Sequence, residues 1–274
     1  MNKKWIASLL DLTVEAGQAT LPYHPAGRTH GLSEMSMGLE HKADSSPVTL
    51  ADLAANDIIV QGLRRITPEI PIVSEELPDS VFVGQSARLF WLVDPLDGTR
   101  EFVSGGDDFT VNIALVRDHY PVWGTVFVPV TGALYWGGLE TGSFRRTGNT
   151  TDRLQVTSLD RSGSSSTDTV RVVASKSHMN AQTRSFIARF GPHVELVQAG
   201  SSLKFTMIAQ GDAHAYPRLG DTSEWDTAAA QAVLEGAGGF VCDLQSNRLR
   251  YGKDNVLNPH FIASCVDPSR WLAP

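Results

Sequence analysis

The order of helical and strand-like patterns along the chain is the feature that most restricts its fold. Two stretches with helical spacing of apolar residues, 3–20 and 50–66, come first and are followed by several neighbouring strand-like runs. From residue 170 onward, strand-like and helical stretches alternate. Helices followed by a series of strands are typical of an α+β unit, and alternation is typical of an α/β unit. The sequence therefore predicts a chain that combines both, α+β first and α/β second.

The two architectures meet at a polar, serine-rich segment, 157–169, that has no apolar period. Such a segment is typical of a surface loop, and it predicts an N-terminal subdomain, 1–156, and a C-terminal subdomain, 157–274. The predicted helices are 3–20, 50–66, 180–190, 201–210 and 226–238. The predicted strands are 70–74, 88–93, 109–116, 122–139, 170–175, 213–219, 238–244 and 260–265.

Composition excludes several classes of protein. The 274 residues include 30 Asp or Glu and 23 Lys or Arg, which gives a net charge of -7. A basic face for nucleic acid is therefore not expected, and an acidic protein that binds an anionic substrate would need cations in its site. No run approaches the roughly 18 consecutive apolar residues of a membrane span.

The N-terminus and the cysteines favour a protein of the cytoplasm. The first residues are basic and then apolar, as in a signal peptide, but Asp11 and Glu15 interrupt the apolar part. Since its apolar residues have helical spacing, this segment is predicted to be a helix of the fold. Cys242 and Cys265 have apolar neighbours and no CxxC partner, which predicts inert core thiols in a reducing compartment.

The most informative stretch is FWLVDPLDGTREF, residues 90–102, in which an apolar run leads into Asp94 and Asp97. Because Pro95 cannot donate a hydrogen bond to a sheet, the strand is predicted to end there, with Asp97 one tight turn further on. Two carboxylates about 4 Å apart repel by roughly 4 kcal/mol at an effective dielectric constant of 20, so a proton or a cation must lie between them. Oxygen ligands favour Mg²⁺ or Ca²⁺.

The residues that follow these aspartates suit an anion. Gly98 and Thr99 would present backbone N–H groups at a helix start, where phosphate binds readily. A metal on one side and a phosphate on the other indicate phosphoryl chemistry. The alternative is purely structural, because Asp-Gly pairs commonly form an Asx turn with a helix cap.

Further carboxylates also lie at the ends of predicted strands or at the starts of predicted helices. Glu75 and Glu76 come directly after the short strand IPIVS, and Asp226 stands at the start of a predicted helix. Asp226 has a structural alternative as a helix N-cap. Thr49 and Asp52 match a capping box, which would account for both. Together, the acidic clusters are what a phosphatase site with several metal ions requires.

Beyond these arguments, the chain resembles a known family. The motifs WLVDPLDGT, VSEE and WDTAAA followed by GAGG are similar to the signatures of the inositol monophosphatase family of metal-dependent, lithium-sensitive phosphatases. KADSSPVTLADLAAND, FTVNIAL, GSSLKF and YPRLG most resemble its branch of bacterial 3'(2'),5'-bisphosphate nucleotidases, linked to sulfate assimilation. The resemblance implies a layered αβαβα sandwich of the inositol monophosphatase/fructose-1,6-bisphosphatase type, with the site between two subdomains. It also implies hydrolysis of adenosine 3',5'-bisphosphate to AMP and phosphate.

The resemblance assigns ligands for two or three Mg²⁺ ions and implies inhibition by Li⁺. Glu75, Asp94 and the backbone carbonyl of Leu96 would hold the first ion. Asp94, Asp97 and Asp226 would hold the second. The two aspartates of DPLD are, on this interpretation, spaced to share a cation.

The resemblance also assigns catalytic and phosphate-binding roles. Gly98 and Thr99 would give backbone N–H groups to the phosphate. The Thr99 hydroxyl, polarised by Asp52, would orient the attacking water together with Glu75. These catalytic roles come from the resemblance alone.

Substrate contacts are predicted in two further stretches, AGSSLKF and YPRLGD. Ser201 and Lys204 are three residues apart, on one face of a predicted helix turn, and Arg218 leaves a strand where it could bind phosphate in a bidentate manner. The resemblance implies that these three residues and His178 hold the second phosphate and the ribose. Alternatively, Lys204 is a solvated helix charge and His178 a simple loop residue. Lys42 resembles the family's lysine near the metal site, or is an exposed loop lysine.

Two rival functions stay open. One is an inositol monophosphatase or an inositol polyphosphate 1-phosphatase-like enzyme, and the other is a catalytically idle binding protein of the same fold. Every predicted metal ligand is present in the sequence, which argues against the idle protein. The family contains homodimers and peripheral membrane members. The sequence therefore leaves open a monomer or homodimer and an association with the cytoplasmic face of the inner membrane.

Overall fold

Two large β-sheets organise the molecule. The computed structural model describes residues 3–25, 38–41, 47–159, 169–175 and 179–272. One sheet has seven strands and the other has five, and a separate ribbon pairs β1 (Glu40–His41) with β2 (Pro47–Val48). The described helices are α1 (Lys3–Thr20), α2 (Leu50–Ile66), α3 (Val81–Ser86), α4 (Thr99–Val103), α5 (Ala181–Ile187), α6 (Leu203–Ala209), α7 (Ala228–Gly236) and α8 (Ser269–Leu272).

The seven-stranded sheet follows the order of the chain. Its strands are β3 (Ile72–Ser74), β4 (Leu89–Asp97), β5 (Thr110–Arg117), β6 (Tyr120–Val128), β7 (Ala133–Gly138), β8 (Gly142–Thr147) and β9 (Thr150–Arg153). β3 runs parallel to β4, and every later pair is antiparallel, as hairpin connections require.

The five-stranded sheet has crossovers. Its strands are β10 (Val170–Ser175), β11 (Val194–Ala199), β12 (Ala215–Arg218), β13 (Phe240–Asp243) and β14 (Phe261–Ser264), in the order β11-β10-β12-β14-β13. β10 is parallel to both neighbours, whereas β14 is antiparallel to both of its own. The parallel part explains the alternation of strands and helices in this half of the sequence.

Side-chain alternation along β4 shows how the layers form. Trp91 and Val93 point into an apolar cluster with α1 and α2, while Phe90 and Leu92 point into the opposite cluster, with α6 and α7. Such a period of two is what a strand buried on both faces produces. The helices α6 and α7 also contact the five-stranded sheet, so they form the central layer. On its outer face that sheet packs against Phe186, Phe190 and Trp271, from the region of α5 and α8.

The resulting order of layers is α-β-α-β-α, which confirms the predicted layered fold. The central cluster contains Phe90 and Val126 from the first sheet together with Phe205, Val233 and Phe261 from the second half of the chain. One continuous core therefore joins the two halves. The subdomain boundary at residues 156 and 157 stays a prediction.

The five predicted helices are present with end shifts of a few residues, and 3–20 and 50–66 match α1 and α2. The predicted single strand 122–139 is wrong, because a turn containing Gly132, with φ of 70°, divides it into β6 and β7. β8, β9 and β11 were not predicted. Most side chains of β11 are partly or fully exposed at the edge of the sheet, so it lacks the apolar pattern of a buried strand.

The structure also bears on the predictions about the cysteines and about membrane-spanning segments. Cys242 and Cys265 are buried in the core and form no disulfide, as predicted. None of the helices in the described ranges combines the length and the apolar character that a bilayer crossing requires.

Candidate active site

A bulge in β4 creates the acidic site. The strand continues past Pro95 to Asp97, so the prediction that it ends at Pro95 is wrong. Asp94 lies opposite Asn112 on β5, and Asp97 lies opposite Thr110. Three steps along β4 therefore match two steps along β5, which means that one extra residue is inserted. A bulge tolerates proline because it interrupts the ladder of hydrogen bonds at that point.

The bulge decides where the two carboxylates point. In a regular strand, residues three apart face opposite sides of the sheet, so Asp97 would face the side of Trp91 and Val93. One inserted residue reverses this alternation beyond the bulge. Asp94 and Asp97 accordingly line the same cavity. The spacing of DPLD is thus explained by a bulged strand rather than by a tight turn.

This cavity has a volume of about 870 Å³ and lies where both halves of the chain meet. From the first half it is lined by residues of the β3 and β4 ends and of α4, including Glu75, Asp94, Asp97, Gly98 and Thr99. From the second half it is lined by residues that include Asn180, Ser201, Lys204, Tyr216, Arg218, Asp221 and Asp226. Nearly all of the predicted site residues that the structure describes are therefore brought together.

Asp94 lies at the centre of a like-charged group. Its side chain is 1% exposed, and burial raises its pKa well above the usual range, with further increases from the charges of Glu75, Asp97 and Asp226. Burial also raises the pKa of Asp226, followed by the charges of Asp97 and Glu75. The ionised forms of these carboxylates repel one another and have lost water. A proton or a bound cation must compensate for this cost.

Mg²⁺ fits this donor set. The groups available at the cavity are carboxylate oxygens and the region of the Leu96 carbonyl, which are the hard oxygen ligands that Mg²⁺ prefers. Across the described ranges, no three His, Cys, Asp or Glu side chains are already gathered into a closed metal-ligand group. The electrostatics therefore favour a cation, while the side chains line an open cavity and do not yet form a complete coordination shell.

Asp226 does not cap α7. The helix begins at Ala228, its N-cap residue is Thr227, and that residue makes no side-chain cap. Asp226 Oδ2 instead accepts a hydrogen bond from the backbone N–H of Ser223 at 2.9 Å. The structural alternative for Asp226 is therefore wrong, and its carboxylate is positioned by a loop.

Asp52 combines a structural and a candidate catalytic role, with one carboxylate oxygen for each. Oδ2 accepts from the backbone N–H of Thr49 at 2.8 Å and from its hydroxyl at 2.6 Å, which forms the predicted capping box of α2. Oδ1 accepts from the Thr99 hydroxyl at 3.3 Å. Burial, and to a smaller degree the charge of Glu75, raises the pKa of Asp52 to about 6. At neutral pH the carboxylate is mostly ionised and can accept a proton from Thr99.

Gly98 shapes the approach to α4. Its φ of 95° lies in the left-handed region, and a Cβ at this position would lie 2.9 Å from the backbone oxygen of Asp108. Only glycine fits without a shift of the backbone. The next residue, Thr99, begins α4, and the first N–H groups of a helix have no partner within it. These N–H groups are the predicted donors to phosphate.

Ser201 and Lys204 lie on the wall contributed by the second half. Ser201 has a φ of 51° and precedes α6, so the prediction that both share a helix turn is wrong. They are nevertheless in contact, because Lys204 Nζ donates to the Ser201 carbonyl at 2.6 Å. Lys204 is only 6% exposed, which excludes the alternative of a solvated helix charge. Burial lowers its pKa to about 8, and Tyr216 covers its ammonium group with an aromatic ring.

Arg218 is the last residue of β12 and lines the cavity. Its Nη2 donates to the backbone carbonyl of Asp221 at 2.7 Å, which fixes the guanidinium group. Its Nε is buried and has no hydrogen-bond partner among the described residues. A buried donor without a partner is costly, and the guanidinium group that carries it lies at the wall of the cavity. His178 and Lys42, by contrast, lie outside the described residues.

Hydrogen bonds across the two halves were not predicted from the sequence. The Ser201 hydroxyl donates to Asp97 Oδ2 at 2.6 Å, across 104 residues of chain. Asn112 Nδ2 donates to the Ser202 hydroxyl at 3.0 Å, and Ser202 donates to the Asp226 carbonyl at 3.1 Å. Asn112 and Ser202 therefore connect the Asp94 strand to the Asp226 loop. The only local signal was an asparagine inside the apolar strand FTVNIAL.

The chain is similar to known proteins over nearly its whole length. The model of the inositol monophosphatase family matches residues 3–270. The 3'(2'),5'-bisphosphate nucleotidase CysQ of Escherichia coli K12 is 41% identical over 229 residues, which are 83% of this chain and 89% of the relative. The protein of the same name from Haemophilus influenzae is 32% identical over 228 residues, 82% of each chain.

Solved structures share the fold. CysQ from Bacteroides thetaiotaomicron, a bacterial member of the inositol monophosphatase family, has a TM-score of 0.80 at 33% identity, covering 95% of this chain and 97% of that chain. The inositol monophosphatase of Thermotoga maritima has a TM-score of 0.73 at 22% identity, covering 98% of this chain and 95% of that chain. At 22% identity, the likeness to the Thermotoga maritima protein shows a shared fold alone.

Proposed function

This chain belongs to the inositol monophosphatase family, and we propose that it is a Mg²⁺-dependent 3'(2'),5'-bisphosphate nucleotidase. The substrate is adenosine 3',5'-bisphosphate, and removal of its 3'-phosphate gives AMP and phosphate. The CysQ relatives carry this activity in their names, and they match most of the chain. Li⁺ is expected to inhibit the reaction, and a nucleic-acid partner is not expected because the protein is acidic.

One observation carries the proposal: a cavity lined by six carboxylates also contains cationic side chains, among them Lys204 and Arg218. The carboxylates Glu75, Asp94, Asp97 and Asp226 suit the metal ions that a reacting phosphate needs. The two cationic side chains suit a second phosphate group. A substrate with two separated phosphates can place one at the acidic, metal-binding residues and the other at the cationic side chains, whereas a monophosphate occupies only one of these positions.

The metal ligands are divided as the resemblance implies. Glu75, Asp94 and the Leu96 carbonyl would hold one ion, and Asp94, Asp97 and Asp226 would hold another. When bound, Mg²⁺ neutralises phosphate charge and lowers the pKa of a nearby water. The cost of burying Asp94 and its neighbours in the ionised state supports a cation among these carboxylates, whatever the division of ligands.

Thr99, Asp52 and Glu75 act on the attacking water. The Thr99 hydroxyl lies 3.3 Å from Asp52 Oδ1 and 3.2 Å from the Leu96 carbonyl. When it donates to Asp52, its oxygen can accept a hydrogen bond from the water, and it takes up the water's proton as its own proton passes to Asp52. Oδ2 of Asp52 is held by Thr49, which keeps the carboxylate in this orientation. Glu75 lines the cavity together with Asp94, and its carboxylate would orient the water beside a bound metal ion.

The remaining residues position the substrate. Backbone N–H groups at Gly98 and Thr99 bind the reacting phosphate. Lys204 and Arg218 bind the second phosphate, with Arg218 supplying its unpartnered Nε donor. Ser201 orients Asp97 through its hydroxyl and Lys204 through its carbonyl, so it connects the metal site to the substrate site.

A substrate comparison tests the proposal. Phosphate release is measured from adenosine 3',5'-bisphosphate, inositol 1-phosphate and an inositol polyphosphate bearing a 1-phosphate, each with Mg²⁺ and with EDTA. The nucleotide should be hydrolysed with the highest kcat/KM, only with Mg²⁺, and less in the presence of Li⁺. Asp94→Asn is the inactive control.

Other outcomes would contradict the proposal. A preference for an inositol phosphate would move the chain to the inositol branch of the family. Mg²⁺ binding without turnover of any of these substrates would indicate a catalytically idle binding protein.

A further inference from the structure

We propose that Glu224, which is two residues before Asp226, is a positioning residue for the second metal ion. This inference rests on the proposed function, because it concerns the same metal site. Glu224 does not line the cavity and has no assigned role. Its side chain is 3% exposed, although a buried glutamate is costly unless it is fully paired.

Glu224 directs its hydrogen bonds to one loop. One carboxylate oxygen accepts from the backbone N–H of Gly252 at 2.7 Å, and the other accepts from the backbone N–H of Lys253 at 3.0 Å. The Lys253 ammonium group also donates to Glu224. The Glu224 backbone N–H donates to the Val256 carbonyl at 2.8 Å. Side chain and backbone together fix the segment before Asp226 to the loop 252–256.

The acceptor loop is itself shaped for this contact. Gly252 has a φ of 76°, which favours glycine. A Cβ at this position would lie 2.7 Å from the backbone oxygen of Gly84. The loop therefore passes too close to α3 to carry a side chain there, and this approach directs the Gly252 N–H toward Glu224.

Asn258 holds the same segment by contacts that carry no charge. Its Nδ2 lies 2.7 Å from the Ser223 carbonyl and 3.0 Å from the Thr227 hydroxyl, and its backbone N–H donates to the Thr222 carbonyl at 2.8 Å. Ser223 in turn donates its N–H to Asp226 Oδ2. Asn258 and Glu224 thus fix both sides of the residue that orients the Asp226 carboxylate.

Glu224 and Asn258 together form a clamp that opposes electrostatic repulsion on Asp226. Asp226 is repelled by Asp97 and Glu75, and a free loop would let it move away. Glu224 and Asn258 hold it in the cavity before an ion is present, which lowers the cost of assembling the ligands. Because Lys253 balances the charge of Glu224, the clamp adds little further repulsion.

Three variants test this role. Glu224→Gln keeps the size of the side chain and removes the charge, and Asn258→Ala removes the uncharged contacts. The matched control is Glu235→Gln. Glu235 lies on α7, away from the cavity, and the substitution breaks its comparably buried ion pair with Arg248. Mg²⁺ affinity is measured by calorimetric titration of the whole 274-residue chain and its variants. The thermal midpoint in EDTA and the Mg²⁺ concentration for half-maximal phosphate release are measured beside it.

We expect Glu224→Gln and Asn258→Ala to weaken Mg²⁺ binding by about tenfold or more, and Glu235→Gln to leave it unchanged at a similar loss of thermal midpoint. Saturating Mg²⁺ should restore most of the rate. If Glu224→Gln does not fold, Asn258→Ala alone decides. Unchanged Mg²⁺ affinity in the folded variants, or an equal loss in Glu235→Gln, would overturn the inference and leave the proposed function intact. An unaltered protein that neither binds Mg²⁺ nor releases phosphate would overturn both.

Discussion

Replacing Arg218 with alanine should change substrate preference rather than general activity. Arg218 Nε is a buried donor without a partner among the described residues, and Asp221 fixes the guanidinium group. A charge-assisted hydrogen bond to phosphate contributes about 1.5–3 kcal/mol, which corresponds to roughly 10- to 150-fold in kcat/KM. We expect this loss on adenosine 3',5'-bisphosphate. Inositol 1-phosphate has no second phosphate, so its kcat/KM should barely change.

The assay compares kcat/KM for both substrates in each variant. Arg145→Ala is the matched control, because Arg145 also has a buried Nε without a partner in the described part of the chain and lies outside the cavity. It should affect both substrates equally. Arg218→Lys keeps the charge but loses the fixed planar donor, so its loss should be intermediate. Equal losses on both substrates in Arg218→Ala would refute a role in binding the second phosphate.

Three further results are expected. Asp94→Asn should abolish phosphate release yet raise the thermal midpoint in EDTA, because it removes an ionisable carboxyl group whose burial among other carboxylates is costly; a lower midpoint would contradict this. Thr99→Ala should lower kcat with little change in KM, and a rise in KM alone would make Thr99 only a binding residue. Asp52 has a pKa raised from 3.8 to about 6, so its contribution to the free energy of unfolding is complete below pH 3.8 and lost as pH rises through 6. In EDTA, urea titrations should show that the free energy of unfolding falls by about 3 kcal/mol from pH 3.8 to pH 6, relative to that of Asp52→Asn. Parallel pH profiles for the two proteins would refute the raised pKa.

Local pattern predicted much of the fold. The helical spacing of apolar residues in 3–20 and 50–66 and the capping box at Thr49 predict α1 and α2, because these signals are contained within one turn or one face of a helix. The edge strand β11 escaped prediction because its side chains are largely exposed. The prediction that the strand ends at Pro95 failed, since local rules do not reveal whether a proline sits at a bulge.

The site was predictable only in part, for a related reason. The types and spacing of Asp94 and Asp97 indicate a cation, but the bulge that turns both to one side depends on pairing with β5. The contact of Ser201 with Asp97 spans 104 residues, and nothing local to either residue indicates it. Asp226 was equally consistent with a cap until the structure placed the helix start at Ala228.

The most direct test of the account identifies the product. Adenosine 3',5'-bisphosphate is incubated with the protein, with and without Mg²⁺, and the phosphorus signals are followed by nuclear magnetic resonance. The account predicts loss of the 3'-phosphate signal, growth of inorganic phosphate and retention of the 5'-phosphate of AMP, all only with Mg²⁺. Removal of the 5'-phosphate, equal turnover in EDTA, or an unchanged spectrum with Mg²⁺ would contradict it.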